Sequence, residues 1–87
     1  MKYQIPEHVR SIIYADGATI MNTAKDTILS INITGALIWS GIGRAETVEE
    51  ITRNLAMTCS VDPKETGPDV IEFLSQLEHH GLISKAE

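Results

Sequence analysis

The first third of the chain is patterned for strands and the remainder for helices. Val9 to Tyr14 collects Val, Ile, Ile and Tyr, a strand composition. Asp16-Gly17 follows, a dipeptide that favours a tight turn because both positions tolerate positive φ. Ala18 to Asn22 is the second strand, with Thr19 and Met21 opposite in phase to Ala18 and Ile20. Thr23-Ala24-Lys25-Asp26 is a polar turn, and Thr27 to Ile31 is the third strand. Tyr3 to Ile5 adds a short extended arm ended by Pro6. Short turns between three strands predict an antiparallel meander. The pattern does not say which outer strand stays open, but the third runs into a helix with no loop between.

That helix starts at Asn32, whose side-chain oxygen suits it as an N-cap. Ile33, Ala36, Leu37 and Ser40 share a face, which Ile38 and Trp39 widen. Gly35 costs about 1 kcal/mol against Ala inside a helix, which implies close packing there. Gly41 and Gly43 end the element. Thr47-Val48-Glu49-Glu50 reads as a capping box, followed by Val48, Ile51, Leu55 and Cys59 at helical spacing. Asp62-Pro63-Lys64-Glu65 is a second box with Pro63 at the first helical position. Gly67-Pro68 then predicts a kink, or a restart near Pro68 with Thr66 as cap, because Pro68 lacks an amide hydrogen and crowds the Lys64 carbonyl. Val70, Phe73, Leu74 and Leu77 form an apolar stripe. Gly81 stops the helix, and Leu82-Ile83 fold back onto the core.

At 87 residues the chain is a single domain over residues 1–87. A domain of this size buries roughly 60–65% of its unfolded surface, enough for one modest core and little for a deep catalytic cleft. The net charge is −5, and seven Lys and Arg are scattered from Lys2 to Lys85. Phosphate backbones need clustered cations, so neither nucleic acid nor an acidic membrane surface is an expected partner. One cysteine, Cys59, forbids an internal disulfide and fits a reducing cytoplasm. The N-terminal residues lack the apolar core of a signal peptide, and no apolar run approaches the roughly 18 residues of a membrane span.

The chemistry-bearing residues have plain structural readings. His79 and His80 point about 100° apart on a helix and do not chelate one ion together; they suit a helix C-terminus. No metal and no cofactor is expected. Cys59 lacks a base and fits a partly buried structural thiol. Asp69 and Glu72 are close on the last helix with Gln76 a turn later; without a His partner they read as a solvated face or a groove rim. Trp39 is a core anchor, and Phe73 sits at the edge of its apolar stripe, where it serves core and groove together. No nucleophile, base and orienter stand together, so no enzymatic activity is expected.

The three-strand meander followed by three helices resembles a winged-helix α+β fold. Ile31-Asn32-Ile33-Thr34-Gly35-Ala36-Leu37-Ile38-Trp39 resembles the asparagine-x-threonine-glycine…isoleucine-tryptophan signature of the PqqD-like family. Thr47-Val48-Glu49-Glu50-Ile51 resembles its second helix start, and Val61-Asp62-Pro63 with Asp69 to Ile83 its third helix and closing segment. The likeness runs from about Val9 to Ile83. Gly67-Pro68 and the glycine-heavy Gly41-Ile42-Gly43-Arg44 loop depart from it.

Members of that family are precursor-peptide recognition elements of ribosomal peptide natural-product pathways. The resemblance therefore implies a non-catalytic adaptor that binds a leader peptide and presents it to a leader peptidase or other modifying enzyme. The form around Trp39 and the short acidic chain favour the stand-alone leader-binding protein of lasso peptide biosynthesis. The alternative within the family is the peptide chaperone of pyrroloquinoline quinone synthesis. The resemblance also implies that the leader adds as a strand beside Thr27, Ile28, Leu29, Ser30 and Ile31, against a helix flank of Asp69, Phe73, Gln76 and His80. An open third strand can also pair with its own copy and give a homodimer. The rival outside the family is a winged-helix DNA-binding regulator, but its recognition helix needs basic residues, and the second helix here has only Arg53.

Overall fold

The computed structural model describes residues 1–86. Its elements run β1 (Tyr3–Gln4), β2 (Val9–Tyr14), β3 (Gly17–Asn22), β4 (Thr27–Asn32), α1 (Ile33–Gly43), α2 (Val48–Cys59), α3 (Pro63–His79) and β5 (Ser84–Lys85). Strands β2, β3 and β4 form an antiparallel meander in that order, and β1 pairs with β5 in a separate two-stranded ribbon. The α+β fold read from the pattern is the fold observed. The ribbon was not foreseen: β5 is two residues long and carries no strand periodicity.

The β2–β3 turn sits one residue earlier than the Asp16-Gly17 signal implies. Tyr14 pairs with Gly17, so Ala15 and Asp16 are the turn, and Gly17 opens β3 without a positive φ. Glycine is still required there, because a Cβ would collide with the Ile31 carbonyl oxygen on β4.

One face of the meander packs on the helices. Val9, Ile20 and Ala18 are buried on it, with Leu29 and Ile31 partly so. The other face turns Arg10, Ile12, Tyr14, Ile28 and Ser30 to solvent. Both β2 and β4 are edges. In an antiparallel strand, successive residues direct their backbone groups to opposite neighbours. A two-residue turn is closed by a hydrogen-bonded pair, so Gly17, Thr19 and Met21 bond toward β2, and Ala18, Ile20 and Asn22 toward β4. Thr27, Leu29 and Ile31 are the partners of the latter three. The amides and carbonyls of Ile28 and Ser30 consequently face the open edge.

Helix α1 begins without a loop because Asn32 Oδ1 accepts from the Gly35 amide at 2.9 Å. It is apolar on most sides because it is central, touching β1, β3, β4 and α2. Trp39 is 2% exposed, and its indole Nε1 donates to Ser11 Oγ at 3.0 Å, so the one buried polar handle on the ring is satisfied.

Helix α2 carries the full capping box: Glu50 N donates to Thr47 Oγ1 at 3.1 Å and Thr47 N to Glu50 Oε1 at 2.8 Å. The Thr47 backbone amide, and after it the Thr47 hydroxyl, hold the Glu50 carboxyl below its ordinary pKa.

Helix α3 is one continuous element from Pro63 to His79, neither broken nor restarted at Pro68. Asp62 caps it, accepting from Lys64 N at 2.9 Å. Thr66 lies inside the helix, with its hydroxyl donating back to the Asp62 carbonyl at 3.2 Å. Pro68 removes one hydrogen bond, to the Lys64 carbonyl, and both residues are exposed, so the loss falls on the solvent side of the helix, where it costs least.

Val70, Leu74 and Leu77 of α3 are buried with Ile20 and Leu82 at the centre of the core. Asn22, 1% exposed, ties the β3–β4 turn to the far end of α3: its Nδ2 donates to Gly81 O, and its Oδ1 accepts from the amides of Ala24 and Lys25. Gly81 has φ +72°, the left-handed conformation that ends the helix and turns Leu82 and Ile83 inward. No helix among the described residues is long and apolar enough to cross a membrane.

Candidate binding groove

Strand β4 and helix α3 are the two walls of a groove of about 560 Å³. Along β4 the side chains alternate, Thr27, Leu29 and Ile31 half-buried, Ile28, Ser30 and Asn32 exposed. Leu29 and Ile31 therefore line the groove, while the free backbone edge derived above runs along its rim. The start of α1 is its floor, through Thr34, Gly35 and Ile38. Leu55 and Cys59 of α2, with Val61, close the end nearest the start of α3.

Phe73 sets the width at the middle. Its ring lies on Gly35: a Cβ at that position would stand 2.9 Å from Phe73 Cζ and 3.1 Å from Ile31 Cβ. The glycine in a helix that otherwise disfavours it is thus explained by the close approach of three elements, β4, α1 and α3, at one point.

The walls differ chemically. The β4 side offers apolar side chains and unpaired backbone groups. The α3 side offers Phe73 and Gln76 at one end and Asp69 and Glu65 toward the other, each about one turn apart. Among the described residues, Glu65 and Asp69 are the only carboxylates on the lining, and no Lys, Arg or His lines it. The described ion pairs, Arg44–Glu46 and Met1 N-terminus–Glu49, leave both untouched.

Of the residues singled out from the sequence, Leu29, Ser30, Ile31, Asp69, Phe73 and Gln76 come together on this groove. Thr27 and Ile28 do not line it, Thr27 at the start of β4 and Ile28 on the opposite sheet face. His80 is the C-cap of α3, beyond the groove. Cys59 corrects an expectation: it is exposed, not partly buried, because α2 reaches its last residue at the mouth of the groove. Glu65, read from the sequence only as part of a helix-capping pattern, lines the groove four residues before Asp69 on one helix face. Ile38, Leu55 and Val70 were read only as core, and they serve the groove as well.

A sheet edge thus faces a helix across a largely apolar cleft on a winged-helix-like scaffold. The family model for PqqD, coenzyme PQQ synthesis protein D, matches residues 17–83, and the chain belongs to that family. Among curated proteins none matches. The fold is shared with TbiB1, solved in complex with the TbiA(beta) leader peptide, at a TM-score of 0.90 and 24% identity, covering 97% of this chain and 98% of that one. It is shared also with a lasso peptide synthetase B1 complexed with the leader peptide, at a TM-score of 0.87 and 13% identity, covering 98% of this chain and all of the other.

Proposed function

We propose that this chain is a non-catalytic adaptor that binds the leader of a ribosomally made precursor peptide and presents it to a leader peptidase or another modifying enzyme, in lasso peptide biosynthesis. One observation carries the reading: the unpaired backbone edge of β4 lies along an apolar groove faced by α3. An extended peptide that pairs with Ile28 and Ser30 satisfies those groups. Each such bond contributes about 0.5–1.5 kcal/mol net. Alternate side chains of the added strand then point into the groove, toward Leu29, Ile31 and Phe73, where specificity is set. Both structural neighbours were solved with leader peptides, which supports lasso precursors as the ligand class. The family's own description supports the second reading, a peptide chaperone of pyrroloquinoline quinone synthesis. On either reading the chain works in the cytoplasm, where its precursor is made.

The test is titration of isotope-labelled protein with leader segments of lasso precursors and, in parallel, of the quinone-cofactor precursor. Amide signals of residues 27 to 31 and 69 to 80 should shift with the cognate class. Shifts confined to α2 would contradict the placement.

A further inference from the structure

We propose that the groove selects a peptide bearing a Lys or Arg two to four residues away from the apolar or aromatic side chain that rests on Phe73. The inference rests on the peptide-binding reading and specifies what the peptide must carry.

The groove is not chemically uniform along its length. Around Phe73 the lining carries no charge, with Leu29, Ile31 and the Gly35 backbone beside the ring and Gln76 one turn on. Toward the start of α3 the floor stays apolar, through Ile38, Leu55 and Val70, but the rim carries Asp69 and Glu65. No cation lines the groove, and neither carboxylate has an ion-pair partner among the described residues. Water serves both groups while the groove is empty. A peptide lying over them removes part of that water, and a carboxylate desolvated without a partner opposes binding. An acidic segment is therefore disfavoured at this end and a neutral one gains nothing, whereas a basic one is held by two carboxylates with its alkyl stem on the apolar floor.

The helix supplies the spacing. Asp69 and Glu65 stand four and eight residues before Phe73, which is about 6 and 12 Å along the axis. An extended peptide covers those distances in roughly two to four residues. The β-added segment ends where Asn32 is committed to capping α1, so the basic residue lies beyond it, over the α1 start and toward the α2–α3 connection.

A random-sequence peptide library, selected in parallel on the wild-type protein, on E65Q/D69N and on E65K/D69K, tests this. Both positions are exposed, and circular dichroism would verify that each variant is folded. Wild-type binders should be enriched in Lys or Arg at two to four residues from a large apolar residue. E65Q/D69N binders should keep the apolar residue and lose the basic one, and E65K/D69K binders should carry Asp or Glu at the same spacing. Replacing the basic residue of a selected peptide by Ala should weaken binding to the wild type about two- to fivefold at low salt, and less at high salt. Binders with the same charge pattern on all three proteins would overturn the charge selection while leaving peptide binding intact. Absence of any enriched peptide would overturn both.

Discussion

At the residue scale, the groove depends on Phe73 and Gly35. Phe73 is half-buried because one side of its ring packs on the Gly35 backbone and Ile31 while the other faces the cleft. Its truncation removes a wall of the groove, so Phe73→Ala should weaken leader binding by tenfold or more, corresponding to about 1.5–3 kcal/mol for a large apolar side chain. Glu49→Ala is the matched control, since Glu49 is exposed at the start of α2, away from the cleft, and its only described partner is the N-terminal amine at 3.8 Å. Calorimetric titration of both variants checks the contrast; equal losses in folded proteins would argue against the groove. Phe73 was legible in the sequence as the edge of a 3.6-residue stripe, and Asn32 as a cap. Cys59 was not, because its spacing from Leu55 is the same whether α2 continues into the core or ends at a cleft.

At the scale of elements, β4 has one backbone side bound to β3 and the other free, and the two sides alternate residue by residue. Proline at a free position removes only an unpaired donor, whereas proline at a paired one breaks the ladder. Ser30→Pro should stay folded and lose peptide binding, and Leu29→Pro should lose stability, as thermal melts paired with peptide titration would show. Helix α2 provides a pH-linked element. Because Glu50 titrates lower in the folded state than in the unfolded chain, its contribution is fully present above its unfolded pKa and is lost as pH falls through the folded one. The stability advantage of the wild type over Glu50→Gln should therefore shrink on acidification, read as Tm against pH. The Thr47–Glu50 capping box and the strand-to-helix junction were legible because each is a local pattern, whereas Asp62-Pro63-Lys64-Glu65 is only a cap, with Asp62 accepting from Lys64 N and no reciprocal bond from Glu65. The continuity of α3 through Pro68 was not: it depends on Lys64 and Pro68 both lying on the solvent side, which only the packed structure reveals.

At the scale of the whole molecule, a short chain with an acidic balance has joined one core to one cleft and left a sheet edge open beside it. The meander and three helices followed from periodicity, and the family resemblance from the Ile31–Trp39 junction taken together with the Thr47–Ile51, Val61–Pro63 and Asp69–Ile83 stretches. The β1–β5 ribbon and the convergence of α1, α2 and α3 on the groove are long-range facts that no local spacing encodes. The open β2 edge is a built-in comparison, because it offers unpaired backbone groups and none of its residues lines this groove. The most direct measurement is amide hydrogen exchange with and without a leader peptide. Strand addition at β4 predicts that the Ile28 and Ser30 amides, facing the open edge when the protein is free, become protected on binding, while the outward amides of β2 do not change. Protection on β2, or none on Ile28 and Ser30 at saturating peptide, would contradict it.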